Sequence, residues 1–356
     1  MRILVLGGLG KQGRVITEDL IKQSPLYQVS IVDNIMSNDL PKGLHKYFVK
    51  DLTEYETLVS LMQDTDLVVC ALPSTLGYNC VKAAVEIGVN MVDLSFTDKD
   101  LSEFDQEAKD KNLSIIVDAG VAPGLSNLVA GRAMLKNPNS IDIMVGGVAQ
   151  DRNAPLNGYT ITWSLDDLME EYVRPARILV DGKVKTVDAL SGTELVRLQE
   201  GDFYGDTAAL EAFYTDGLRS LLVNNGGVPN LSEKTMRWPG HVNAIKEHLR
   251  TGKQTLKNYM KKVCKENDPD VLVMIIRTDS QDVLTYTESD ENMSAMARTT
   301  ALSCATFASL VASGKLTKTG VLPPEKISED DDVYKFVLDK MFDHGVKFTP
   351  TKYPFI

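Results

Sequence analysis

This chain has little of what metal, disulfide or nucleic-acid chemistry requires. Four cysteines, Cys70, Cys80, Cys264 and Cys304, are scattered through 356 residues with no CxxC spacing, which excludes a disulfide framework and a zinc-type ligand set. They read as reduced thiols in apolar runs, and no metal site is expected. Histidine is as sparse, with only His45, His241, His248 and His344, and no Ser-His-Asp or Cys-His arrangement has local support. Positive charge is in deficit, 38 Lys and Arg against 49 Asp and Glu, for a net charge of −11. Nucleic-acid surfaces need basic stripes, so a nucleic-acid partner is excluded. The acidic run 329–332 reads as a solvated loop. No apolar run reaches the about 20 residues of a membrane span, and with the first strand-like run beginning beside Met1 no leader is expected. A cytoplasmic protein without a membrane partner is expected. The remainder is ordinary globular composition, 43% hydrophobic and 24% charged, long enough for about two domains.

What is present is concentrated at the start. Ile3-Leu4-Val5-Leu6 runs into Gly8-Leu9-Gly10-Lys11-Gln12-Gly13, and Ile16 and Leu20 follow one helical step apart. A strand, a glycine-rich turn and a helix make a dinucleotide-binding fingerprint. Gly8 would serve the tight turn, Gly10 the close approach of backbone to pyrophosphate, and Gly13 the packing of helix on strand. Asp33 ends the second apolar run about 20 residues further on, where a carboxylate accepts from both adenosine ribose hydroxyls and repels a 2′-phosphate. The following Asn34-Ile35-Met36-Ser37 supplies no Arg or Lys. NAD is therefore expected over NADP, with a turn-opening role for Asp33 as the plain alternative.

Apolar runs recur at 29–33, 47–50, 66–72, 90–94 and 113–118, separated by helical spacers. Rich in Val, Ile and Leu on both faces, they predict a Rossmann-type, doubly wound parallel sheet in an α/β fold. Asp51, closing the third run, either meets the adenine or caps a helix. Leu72, Pro73 and Ser74 close the fourth, near the switch point where a nicotinamide should lie. After about residue 121 the rhythm changes. A helix over 124–135, strands at 141–148, 159–163, 178–180, 210–214, 235–238, 272–277 and 283–287, and a helix from Ser164 to about Arg174 predict a second, α+β domain with a mixed sheet. A long helix over 293–311 should return to the first domain. The expected division is 1–120 with 293–356 for the dinucleotide-binding domain, and 121–292 for substrate binding and dimerisation.

Polar residues at strand C-termini are the first candidates for chemistry: Ser74, Asp93, Ser95 and above all Asp118. Asp118 ends an apolar strand and precedes Ala119-Gly120-Val121-Ala122-Pro123-Gly124, a bend whose helix amides, with Ser126 and Asn127, could hold an anion. Beside a desolvated nicotinamide its carboxylate could take a proton from an amine or water; capping the helix is the other reading. In Arg237-Trp238-Pro239-Gly240-His241, a guanidinium for a substrate carboxylate stands next to an imidazole that could shuttle protons or be structural. The other three histidines read as surface residues.

Several blocks together resemble the saccharopine dehydrogenase family, nearest its lysine 6-dehydrogenase branch: Ile116 through Gly124, Trp163-Ser164-Leu165-Asp166-Asp167-Leu168 through Tyr172, Pro175-Ala176, Leu210-Glu211-Ala212-Phe213, Arg237 to His241, Ala295 to Ala301, and Gly320 to Glu325. The resemblance spans nearly the whole chain. It implies NAD(P)-dependent oxidation of the terminal amine of lysine, an amino-acid substrate, and a homo-oligomer, with a dimer favoured. An acid at Asp118 is shared by both branches. The glutamate-forming saccharopine dehydrogenases usually carry Asp-Pro-Gly where this chain has Ala122-Pro123-Gly124, which counts against saccharopine as substrate. Arg219, in Tyr214-Thr215-Asp216-Gly217-Leu218-Arg219-Ser220, departs from the lysine 6-dehydrogenase pattern and could add a cationic contact for a more acidic amine. Imine reduction, as in saccharopine or carboxynorspermidine synthesis, and a non-catalytic NAD-binding sensor remain as alternatives.

Overall fold

The computed structural model describes residues 1–161, 164–198, 209–265 and 268–356. The chain divides into two compact units, one of residues 1–131 with 298–344, the other of 132–297 with 345–356.

The first unit is built on strands β1 (Arg2–Leu6), β2 (Gln28–Asp33), β3 (Lys46–Val49), β4 (Leu67–Cys70), β5 (Asn90–Asp93) and β6 (Ser114–Ile116). All pair in parallel. β1 stands between β2 and β4, so the strand order reverses beside it, and ligands of open α/β sheets bind in the crevice at such a point. Every position of β4 is buried, which a strand covered on both faces requires. Leu58, Met62, Cys80, Val81, Ala84 and Ala108, from the intervening helices, pack with the strands in one core. Four of the six runs read from sequence match their strands within one residue at each end, and 66–72 and 113–118 overrun theirs by one residue at the start and two at the end. A strand that the sequence did not announce, Gly320–Leu322, extends the sheet beyond β6 in parallel. Three residues are too few for periodicity, and its pairing is held from outside by Asp105, whose Oδ1 accepts from the Val321 amide at 2.9 Å.

The second unit carries a mixed sheet. β7 (Ser140–Ala149) lies at its centre; β8 (Ala176–Val180), β9 (Lys183–Val187), β10 (Glu194–Arg197), β11 (Ala209–Tyr214), β12 (Asn230–Arg237), β13 (Asp270–Thr278) and β14 (Asp282–Glu288) follow. β12 pairs with β7 in parallel, while β13 with β7 and β11 with β12 are antiparallel. One face packs Met144, Val148, Leu210, Met236, Val273 and Ile275. The other packs Phe213 with Leu168, Tyr172, Val242, Ile245, Leu256 and Met260 from helices Leu165–Glu171, His241–Leu249 and Lys253–Val263. Ser164 caps the first of these by accepting from the Asp167 amide, as its sequence suggested, though the helix ends at Glu171 instead of near Arg174. Of the strand expected at 159–163, Tyr159 and Thr160 are not in a strand, Ile161 forms only a bridge, and 162–163 lie outside the described residues, Trp163 among them.

The end of the chain departs from the expected division. Lys347–Thr349 pairs antiparallel with β14, so residues 345–356 belong to the second unit. The helix at Ala295–Ala312 is long and apolar enough to cross a membrane, but 78% of it is buried in the protein, as a core helix is. Its first amides, of Ala295 and Met296, are accepted by the buried Asp270 carboxylate, which satisfies the orphan donors of a helix start.

Candidate active site

In the first unit the glycine-rich turn is held by sterics that only glycine meets. Gly7, not Gly8, takes the left-handed conformation (φ 76°) that the tight turn needs, which corrects the role expected for Gly8. Gly8 is required for space, since a Cβ there would lie 2.5 Å from Ile31 Cβ. Gly10 stands at the N-cap of helix Lys11–Gln23. A Cβ on Gly13 would lie 2.0 Å from the Gly7 carbonyl oxygen, the close packing of helix on strand expected of the third glycine. Leu72 meets the same turn, its Cδ2 being 3.0 Å from where a Gly7 Cβ would stand. Pro73 caps the helix that begins at Ser74.

Asp33 is buried at the C-terminal end of β2 and reaches this turn. Its Oδ2 accepts from the Leu9 amide at 3.0 Å, and its Oδ1 from the amides of Asn34 (2.9 Å) and Ile35 (3.4 Å). Three amides occupy three of the roughly four lone-pair directions of a carboxylate. The side chain therefore ties the loop down and keeps acceptor capacity for a hydroxyl. The turn, the cap and this acid fit a dinucleotide. Asp51 is neither helix cap nor buried. Its Oδ1 accepts from Thr53 N and Oγ1 in an exposed turn, and Glu54 is the cap of the helix that follows.

Two buried acids lie at adjacent strand ends. Asp93 closes β5, with Oδ2 accepting from Ser95 Oγ at 2.8 Å and Oδ1 from the Ser95 amide at 3.1 Å. Burial pushes its carboxyl up to about 6, with repulsion from Asp118 adding to the effect and the Ser95 and Cys70 hydrogen bonds opposing it. Asp118 follows β6, is 7% exposed, and holds a left-handed backbone at φ 53°. The next amide, of Ala119, donates to the Asp93 carbonyl at 2.9 Å and fixes the two segments together. Gly77 lies under this pair, where a Cβ would fall 1.7 Å from Ser95 Oγ. The four cysteines are buried and no disulfide joins them.

The anion site expected after Asp118 is not formed. The Leu125 and Ser126 amides donate to the carbonyls of Gly120 and Val121, and the Gly124 amide donates to Asn127 Oδ1. Asn127, 1% exposed, spends its Nδ2 on Glu325. The bend closes on itself, so neither its donors nor Asn127 is offered to a ligand.

In the second unit, Arg237 and His241 join a buried polar cluster. Both ring nitrogens of His241 are engaged: Nδ1 donates to the Leu156 carbonyl at 2.8 Å, so Nε2 accepts from the Tyr172 hydroxyl at 2.8 Å. The carbonyl fixes the tautomer. Burial and the charge of Arg237 push the ring down to about 3. A fully buried, neutral imidazole with no vacant nitrogen is a structural histidine, which corrects the proton shuttle expected of it. Arg237 is 4% exposed, with Nη1 donating to the Met236 carbonyl, Nη2 4.0 Å from Glu171 Oε1, and the guanidinium 5.3 Å from the Tyr159 ring centre. Among the described residues its Nε and the Tyr159 hydroxyl find no hydrogen-bond partner, an unmet demand beside a fixed positive charge. Arg219, half-buried at φ 51°, opens a short 3-10 turn. His248 stacks on Tyr259, and His344, not a surface residue, lies 3.6 Å from Asp19 in the first unit.

Sequence reading missed the two carboxyls of this cluster. Glu171 accepts from Thr235 Oγ1 at 2.8 Å, and Thr215 Oγ1 donates to Glu233 Oε2 at 2.5 Å. Their signal was weak, because an acid on a strand or helix is ordinarily a solvated residue. Burial, with Glu171 and Asp216 nearby, pushes Glu233 up to about 8. A carboxyl raised in the folded state stabilises fully below its unfolded value of 4.5 and loses that contribution as pH rises through about 8. Glu233→Gln, a shape-matched neutral group, should therefore gain stability relative to the parent between pH 5 and pH 9, by at least ~1 kcal/mol. Urea denaturation at the two pH values checks this, and an unchanged difference would disprove it. Among the described residues no group of three His, Cys, Asp or Glu is placed to hold a metal.

The chain matches two known domain families in succession. Residues 3–116 match the saccharopine dehydrogenase NADP binding domain and residues 120–346 the saccharopine dehydrogenase C-terminal domain. The chain is 25% identical over 267 residues to the mitochondrial alpha-aminoadipic semialdehyde synthase of Bos taurus, covering 70% of this chain and 28% of that protein. It is 26% identical over 147 residues to saccharopine dehydrogenase [NADP(+), L-glutamate-forming] of Saccharomyces cerevisiae, covering 39% of this chain and 33% of that one. The chain thus spans about a quarter to a third of the length of these curated relatives. The solved apo saccharopine dehydrogenase (L-Glu forming) of Saccharomyces cerevisiae shares the fold at a TM-score of 0.76 and 17% identity, covering 98% of this chain and 99% of that one. With its glycine turn, its mixed-sheet unit and the two matched domains accounting for nearly every residue, the chain belongs to the saccharopine dehydrogenase family.

Proposed function

We propose that this protein is an NAD-dependent oxidoreductase acting on a carbon that bears an amine in an amino acid, with the terminal amine of L-lysine or a related diamino acid as substrate. The observation that carries the reading is the pair of buried carboxyls, Asp93 and Asp118, at the C-terminal edge of a dinucleotide-binding sheet. A bound nicotinamide supplies a hydride acceptor. The substrate carbon gives up its hydride and the nitrogen gives up protons, leaving a C=N bond that water converts to aldehyde and ammonia. Asp118 would take the proton from the amine and later activate that water. Asp93 stays largely neutral below about pH 6, which lessens its repulsion of a neighbouring carboxylate.

A second reading, reduction of an imine formed from an amino acid and a carbonyl compound, is favoured by the names of the relatives. It uses the same groups in reverse. Following absorbance at 340 nm on mixing NAD with lysine, ornithine, diamines and saccharopine, and NADH with amine and aldehyde pairs, separates the two. Absence of turnover with every partner in both directions would overturn both and leave the sensor.

The preference for NAD over NADP rests on Asp33, although the matched domain carries NADP in its name. A fixed carboxylate facing a 2′-phosphate without a cation to offset it should weaken NADPH relative to NADH by at least ~10-fold. Fluorescence titration of both reduced cofactors tests it, and tighter binding of NADPH would reverse the assignment.

A further inference from the structure

The second unit contains a cavity of about 600 Å³ whose walls include Arg152, Asn153, Leu156, Asn157, Trp238 and Pro239. Of the described residues lining it, Arg152 alone carries charge. The guanidinium lies 4.2 Å from the centre of the Trp238 ring, and the indole is itself fixed, its Nε1 donating to the Ala149 carbonyl at 2.8 Å. A guanidinium laid on an aromatic face has part of its rotamer freedom already removed, and its N–H fork is left to meet a planar acceptor from the cavity.

Another part of the wall is built at a conformational cost. Leu156 (φ 55°), Asn157 (φ 59°) and Gly158 (φ 78°) are consecutive left-handed residues, and the leucine is of a type that rarely adopts this region. Each is held by its surroundings. The Leu156 carbonyl accepts from His241 Nδ1, Asn157 Nδ2 donates to the Pro239 carbonyl at 3.3 Å, and Gly158 is pressed so close to Trp238 that a Cβ would fall 2.2 Å from the indole Cδ1. Gly240 (φ 93°) makes room for Asn157, whose Nδ2 would otherwise meet a Cβ at 2.3 Å. His241 therefore has a use that does not involve titration, since it holds the strained turn. Strain that the fold maintains through several independent contacts marks a shaped site.

We infer that this cavity is a binding site for the carboxylate of a small organic acid, with the carboxylate on Arg152, the carboxamides of Asn153 and Asn157 beside it, and the aliphatic stem against Leu156 and Pro239. Among the described lining residues one cation stands with amides and apolar groups, a set that suits a planar carboxylate head on a hydrocarbon stem. An ammonium-terminated ligand would meet like charge. The site makes no use of the dinucleotide, so its test is independent of turnover.

The sequence contains two tryptophans, and Trp163→Phe leaves Trp238 as the sole indole and a reporter in the cavity wall. In that full-length background, emission is titrated with glutarate, with its neutral analogue glutaramide, and with inorganic phosphate, all at constant ionic strength. The expected result is a saturable change with glutarate, none with glutaramide, weaker binding of phosphate, and at least ~10-fold loss of glutarate affinity in Arg152→Gln. Arg152 is exposed, so the variant should fold, and its melting temperature is compared with the parent's. No saturable response to glutarate, equal responses to glutarate and glutaramide, or an Arg152→Gln protein that melts like the parent and still binds glutarate as tightly would overturn the site. Tighter binding of phosphate would overturn the carboxylate assignment. Failure to turn over any amine would leave these outcomes untouched, so the two readings fail separately.

Discussion

Asp118→Asn is expected to lower turnover by about 10²–10⁴-fold, the contribution of a positioned acid or base, while dinucleotide affinity stays unchanged. The backbone makes asparagine the informative replacement. Asp118 sits at φ 53°, a region where Asn and Asp are tolerated and most other side chains are strained. Alanine there would mix a backbone penalty with the loss of the acid. Asparagine keeps the turn and the Ala119 hydrogen bond to the Asp93 carbonyl, and removes only the charge and the proton-accepting oxygen. Removing that charge also takes away one contribution to the raised Asp93 carboxyl, so Asp93 should titrate lower in the variant, with burial still holding it above the ordinary carboxylate range. Steady-state rates with the best substrate, cofactor binding by fluorescence, and the Asp93 carboxyl followed by NMR test the three parts. Full turnover with unchanged cofactor affinity would remove Asp118 from the chemistry.

Gly13→Ala should lose dinucleotide binding by at least ~10-fold and destabilise the first unit by about 1–3 kcal/mol, the usual cost of overpacking. Two effects compete. In an ordinary helix interior, replacing glycine with alanine gains roughly 0.5–1 kcal/mol of backbone entropy. Here the added Cβ would stand 2.0 Å from the Gly7 carbonyl oxygen and 2.9 Å from its carbon, and those are backbone atoms that cannot rotate away. Relief requires moving the helix off β1 or deforming the Gly7 turn, and either would displace the amides expected to meet a pyrophosphate. The clash therefore outweighs the propensity gain. Denaturation curves and NADH titration measure the two losses, and a stabilised protein with normal affinity would show that the helix has room the geometry denies it.

The first unit was legible because its information is local. Each parallel strand is buried on both faces and announces itself as an apolar run, and Gly8, Gly10, Gly13 and Asp33 are spaced by the dimensions of a strand, a turn and a helix. Even there, the assignment of the turn to Gly8 failed against Gly7, because a run of two glycines does not say which one crosses to positive φ. The C-terminal part of the chain was less legible. Gly320–Leu322, in the first unit, and Lys347–Thr349, in the second, are strands only because a partner strand offers free edge groups, and a three-residue run carries no period.

His241 shows the same limit in chemistry. Next to Arg237 in sequence it reads as a titratable pair. In the fold the Leu156 carbonyl and the Tyr172 hydroxyl occupy both its nitrogens, and burial holds it neutral. Asn127 failed for the same reason, since its amide is spent on Gly124 and Glu325. Glu171, Glu233 and Arg152 were invisible for the converse reason, because residues ordinarily solvated become unusual only when a core or an aromatic ring is placed around them.

The sequence by itself determined the parallel sheet, its glycine turn, the acid at its second strand end and the change to a mixed sheet after about residue 121, because these depend on periodicity and on backbone conformations that few residues allow. Tertiary structure alone decided which polar groups are spent on one another and which are left to act. Hydrogen-bond partners and desolvation come from residues distant in the chain, and they set whether a carboxyl or an imidazole can exchange a proton.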